Sequence, residues 1–132
     1  MNKNKLVLGV DVGGTNTVFG LVDQIGNIFL INSIPTDADK SAENLFSRLF
    51  EKFYQLSDDA KEEFELVGIG IGAPNANFFK GTIENPPNLK WGFVDVVSLL
   101  KKFSDVPVAL TNDANAAALG EMYYGAAKGM KD

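Results

Sequence analysis

Two apolar, β-branched runs split by a pair of glycines constrain this chain more than any other feature. Leu6-Val7-Leu8-Gly9-Val10 ends in Asp11-Val12-Gly13-Gly14-Thr15, and Thr17-Val18-Phe19-Gly20-Leu21-Val22 follows at once. Runs of this composition extend as strands, and so short a glycine-rich break between them turns the chain back as a hairpin. A third run, Ile28-Phe29-Leu30-Ile31, comes after a second turn at Gly26. The opening third therefore reads as a three-stranded antiparallel meander. A chain that begins this way is not a helical bundle, and the rest of the sequence must supply the cover for the meander's apolar face.

After Pro35 the apolar period changes from two to about 3.6. Leu45, Phe46, Leu49, Phe50 and Phe53 share one helical face, and Ser41 stands where an N-cap belongs. Leu66-Val67-Gly68-Ile69-Gly70-Ile71 is apolar on both faces apart from its glycines, as a buried strand of a mixed sheet is, and it stops at Gly72-Ala73-Pro74. Residues 75–93, rich in asparagine and holding Pro86-Pro87 and Trp91, read as an irregular excursion with a small hairpin at Gly81. Phe93 to Phe103 returns to helical spacing. Pro107 opens the strand Val108-Ala109-Leu110, and Asn112-Asp113 leads into an alanine-rich helix over 114–124. The order is β-β-β-α-β-α-β-α, in one domain of 132 residues without repeat or linker.

Composition narrows the function. No apolar run approaches the roughly 20 residues that span a bilayer, and Leu6 to Val10 is too short for a signal-peptide core, so a cytoplasmic protein is expected. The net charge of −5 argues against a nucleic-acid partner, which needs a basic surface. Cysteine and histidine are both absent. That removes thiolate nucleophiles, imidazole bases and the common zinc ligand sets, and leaves carboxylates, hydroxyls, lysine and backbone groups to do any chemistry.

Three glycine-rich stretches invite comparison with phosphate loops. The Gly-Lys-Ser/Thr step of a P-loop occurs nowhere. Gly68 to Ala73 fits G-x-G-x-x-A, but Pro74 disfavours the helix that a dinucleotide fold requires there, and Gly68 and Gly70 serve equally well as small residues for close packing. The Asp11–Thr15 turn is open to two readings: a tight turn capped by Asp11, or a phosphate nest with donors from Gly13, Gly14 and Thr15 and with Asp11 reaching a hydrated Mg²⁺. Asp113 is equally an N-cap or a general base at the carboxyl edge of the sheet. Asn85-Pro86-Pro87-Asn88-Leu89-Lys90-Trp91-Gly92 is either a surface turn or the amide-and-aromatic loop of a sugar site.

Asp11-Val-Gly-Gly-Thr15, Gly72-Ala-Pro74, Pro87-Asn88-Leu89 with Trp91, and Asn112-Asp113-Ala-Asn-Ala-Ala-Ala-Leu-Gly-Glu121 together resemble the ROK family of bacterial sugar kinases and repressors, its glucokinases above all. The resemblance covers residues 1–132 as the family's N-terminal lobe. It implies an α/β fold of the actin-like ATPase (ribonuclease H-like) type: a mixed five-stranded sheet, the antiparallel meander plus two further parallel strands, with helices. It assigns Asp11, Gly13, Gly14 and Thr15 to the ATP phosphates, with Asp11 the water-mediated Mg²⁺ ligand. Asp113 becomes the base for the sugar C6 hydroxyl, and Asn112, Asp113, Gly72 and Asn88 contact the sugar. Asn16 stands where many such kinases carry lysine, so that side chain brings no charge to the phosphates.

The implied protein is an ATP-dependent sugar kinase, glucose its first substrate, acting as a homo-oligomer. The family's Glu-x-Gly-His motif and cysteine-rich structural zinc site lie beyond residue 132, so the lobe alone is expected to be inactive. The alternatives are a sugar-responsive repressor, less expected because such repressors carry an N-terminal helix-turn-helix whereas here the first strand begins at Leu6, and a non-catalytic sugar-binding domain.

Overall fold

The computed structural model describes residues 4–23, 27–60, 64–77, 80–87 and 89–111. The opening runs form β1 (Asn4–Val12), β2 (Asn16–Val22) and β3 (Ile28–Pro35), paired antiparallel in sequence order. Helix α1 (Ala42–Ala60) then carries the chain back to β4 (Phe64–Gly72), which lies parallel to β1, and β8 (Val108–Thr111) lies parallel to β4. The sheet order is β3-β2-β1-β4-β8, the mixed five-stranded sheet anticipated from the sequence.

Strand alternation and helical period meet in one core. Leu6, Leu8, Val10 and Val12 on β1, Phe19 and Leu21 on β2, Ile69 and Ile71 on β4 and Leu110 on β8 join Leu45, Phe46, Leu49, Phe50 and Phe53 of α1 in a single buried cluster. Each such side chain contributes about 1.5–3 kcal/mol on leaving water, so this face of α1 outweighs any intrinsic helix preference. Ser41 caps α1 as expected, its Oγ accepting from the Asn44 amide at 3.1 Å.

The excursion is more ordered than its sequence suggests. Strands β5 (Ala76–Asn77), β6 (Thr82–Glu84) and β7 (Phe93–Asp95) form a second, antiparallel sheet, with the hairpin between β5 and β6 turning at Gly81 (φ 69°). The expected helix over Phe93–Phe103 is thereby corrected. Residues 93–95 are drawn into pairing with β6, and helix α2 is confined to Val96–Leu100. Asp95 marks the switch: its carboxylate accepts from the Ser98 amide and hydroxyl, both at 3.2 Å, and so caps the helix three residues later than its apolar spacing begins. The helix expected over 114–124 lies outside the described residues.

Candidate functional site

The three parallel strands β1, β4 and β8 end together. Across their carboxyl edge the register sets Val18 beside Asp11, Asp11 beside Gly72, and Gly72 beside Thr111. The Ala73 amide donates to the Thr111 carbonyl at 2.9 Å, extending this row one residue past the strands. Open α/β sheets bind their ligands at this edge, because the loops that leave it are free to vary while the strands are not. The Gly13–Thr15 turn leaves from the same edge. Two of the sequence's candidate groups, Asp11 and Gly72, are therefore direct neighbours although 61 positions separate them in the sequence. Asn112 and Asp113, which follow Thr111, lie outside the described residues, as does Asn88.

The two glycines of the turn differ. The Gly13 amide donates to the Asn16 carbonyl at 3.0 Å and closes the hairpin, so it is committed to the fold and not to a ligand. A Cβ on Gly13 would lie 2.7 Å from that same carbonyl oxygen, closer than atoms pack. Gly14 is exposed, and among the described residues a Cβ there would meet nothing within 4 Å; its φ lies outside the left-handed region. Among the described residues neither the Gly14 nor the Thr15 amide meets an acceptor. The fold thus explains glycine at 13. Among the described residues it gives no reason for glycine at 14.

The turn is held from beneath by groups the sequence reading did not single out. Thr17 and Thr36 are both buried, with their hydroxyls 2.8 Å apart. The Thr36 hydroxyl donates to the Gly13 carbonyl at 2.7 Å and the Thr36 amide to the Thr15 carbonyl at 2.9 Å. Behind them Arg48 of α1 donates to the Pro35 and Thr36 carbonyls at 2.7 and 2.9 Å and to Asn44 Oδ1 at 2.8 Å. With three of its five N–H groups engaged in this way and Asp37 Oδ2 3.8 Å from Nη2, Arg48 is a structural clamp. Thr17 carried a detectable signal, since it alternates in phase with the core residues Phe19 and Leu21.

The loop over 85–92 is anchored separately. Asn85 (φ 48°) and Gly92 (φ 64°) take left-handed conformations, the Asn85 amide donates to the Gly92 carbonyl at 2.9 Å, and the Lys90 amide donates to the Ala38 carbonyl at 3.0 Å. Trp91 turns inward against Phe46, ring centroids 6.2 Å apart, so this aromatic belongs to the core. Among the described residues no cluster of acidic side chains is built to hold a metal, and none of the described helices is long and apolar enough to cross a membrane.

This architecture is that of the actin-like ATPase fold. Residues 7–132 match the ROK family, and the chain belongs to it. It is 33% identical to a glucokinase of Streptomyces coelicolor over 128 residues, covering 96% of this chain and 38% of that protein. It is 30% identical to a xylose repressor of Caldicellulosiruptor bescii over 121 residues, covering 90% of this chain and 30% of that one. The crystal structure of a ROK glucokinase from Streptomyces griseus in complex with glucose and AMPPNP superposes with a TM-score of 0.67 at 31% identity, covering 94% of this chain and 38% of that one. The chain thus spans under two fifths of the length of these relatives.

Proposed function

We propose that this chain is the N-terminal lobe of an ATP-dependent hexokinase-type sugar kinase, which transfers the γ-phosphoryl group of MgATP to the C6 hydroxyl of an aldohexose, glucose first. The observation that carries this reading is the open, ordinary-φ Gly14 at the carboxyl edge of the sheet, one turn away from the Asp11–Gly72 pair. A glycine that the described residues do not need, with its amide outward, suits a phosphate oxygen brought close to the backbone. The half-buried Asp11 near the end of β1 would supply a carboxylate toward a hydrated Mg²⁺, which in turn would neutralise phosphate charge.

In this reading Gly14 and Thr15 cradle the phosphates, Gly13 shapes the turn, and Gly72, Asn88 and Asn112 line the sugar side. Asp113 accepts the C6 hydroxyl proton as that oxygen attacks the γ-phosphorus and the bond to the β–γ bridging oxygen breaks, releasing ADP. Phosphoryl transfer asks little else of a protein than this positioning and charge neutralisation. The second wall of the cleft belongs to the remaining length seen in the relatives. The xylose repressor among those relatives favours a second reading, a lobe that binds sugar without turning it over.

A coupled assay of the full-length protein with MgATP and glucose separates the two. A kinase turns over; a repressor binds sugar alone. In the active protein, Asp113→Asn keeps sugar affinity and lowers kcat by roughly 10²- to 10⁴-fold, the range of a lost general base. Near wild-type turnover in that variant removes Asp113 from the role.

A further inference from the structure

The turn presents an outward Gly14 amide because of a residue 22 positions away. The Gly13 carbonyl and the Gly14 N–H belong to one peptide unit, planar and trans, so they point in opposite directions. The carbonyl is drawn into the protein by the Thr36 hydroxyl at 2.7 Å. The N–H on its far side is therefore directed away from the core. A hydroxyl has one proton, and that of Thr36 goes to the Gly13 carbonyl, which can only accept. The 2.8 Å contact with Thr17 must then be a bond donated by Thr17 to Thr36. The relay runs Thr17 to Thr36 to Gly13.

Thr36 also holds the Thr15 carbonyl through its amide, and thus grips the carbonyls on either side of Gly14. It is itself fixed: 1% exposed, at the end of β3, with its own carbonyl bound by Arg48 at 2.9 Å. A donor held this way before any ligand arrives needs no reorganisation when charge appears opposite it, which is what makes preorganised amides effective toward phosphate oxygens. We propose that Thr36 is the positioning residue of the nucleotide site, its hydroxyl aiming the Gly14 amide at the phosphates of MgATP. Thr36 touches no substrate. This inference rests on the phosphate reading of the turn.

Thr36→Val keeps shape and β-branching and removes the proton that holds the Gly13 carbonyl. In the full-length kinase it raises the KM for MgATP by roughly 10- to 100-fold, the size of one lost hydrogen bond to a charged group, while the glucose dissociation constant measured without nucleotide stays within about twofold. Thr36→Ser restores the MgATP KM. A purely structural role would move sugar binding and nucleotide KM together. Should Thr36→Val not accumulate as folded protein, Thr36→Cys, a weaker donor at the same place, shows the same selective loss in smaller measure. Gly14→Val provides the reference: if it impairs MgATP use and folded Thr36→Val does not, Thr36 is not the positioning residue, and the phosphate reading survives. If neither variant changes nucleotide kinetics, both fall.

Discussion

The turn at 12–16 and the excursion at 73–92 flank the same sheet edge but are built on different principles. The turn is held by ladder pairing on both sides and by a buried hydroxyl pair beneath it, with ordinary backbone angles. The excursion is held by four left-handed residues, Asn75, Gly81, Asn85 and Gly92, and by bonds from side chains to backbone. Asn75 Nδ2, for instance, donates to the Glu84 and Asn85 carbonyls at 3.1 and 3.0 Å. The first region stores no strain and leaves one glycine unexplained by the fold. The second uses its unusual angles to turn corners. A glycine in the turn and a glycine in the excursion therefore mean different things, and substitution separates them.

The largest effect on stability belongs to Gly81→Ala. The new methyl would lie 2.5 Å from Val97 Cγ2 at a φ of 69°, while the Gly81 carbonyl accepts from both Val96 and Val97 and cannot move without unseating α2. Strain and overpacking together cost about 3 kcal/mol. A urea midpoint unchanged from wild type in the full-length protein would show that the excursion is looser than its hydrogen bonds imply. Gly13→Ala comes next, at about 1–2 kcal/mol, because its methyl meets the Asn16 carbonyl at 2.7 Å and the hairpin must open slightly to admit it. The same denaturation series reads this out, and a cost equal to that of Gly81→Ala would erase the distinction between the regions.

Much of this was legible from the sequence, for reasons tied to period. The meander, β4 and β8 announce themselves as short apolar runs bounded by glycine or proline, and α1 by a 3.6-residue spacing, since every one is buried against the core. Ser41 stood at the right place to cap α1, and Gly81 at the right place to turn a hairpin. Beyond that hairpin, the second sheet was not legible. Its strands are two or three residues long, too short for a period, and its corners depend on asparagines in left-handed conformations, which composition announces only as irregular chain. The helix expected over 93–103 is shortened to Val96–Leu100 for the same reason, because pairing with β6 takes up Phe93–Asp95. The turn's glycines were legible as a pair but not as individuals. Only the Asn16 carbonyl, placed by the hairpin's closure, tells Gly13 from Gly14. Thr36 carried no signal in its neighbourhood, since what it grips lies 21 to 23 residues earlier in the chain.

The central claim is that Gly14 is glycine for the sake of a phosphate and not for the sake of the fold. Calorimetric titration of AMPPNP with Mg²⁺ into full-length wild type and Gly14→Val tests it directly, with thermal unfolding of both followed in parallel. The account predicts a melting midpoint shifted by no more than about 2 °C, since a Cβ at 14 meets nothing within 4 Å among the described residues, glucose binding retained, and nucleotide affinity reduced by roughly tenfold or more, as one obstructed phosphate contact costs. Equal nucleotide affinity in a folded Gly14→Val protein would contradict it.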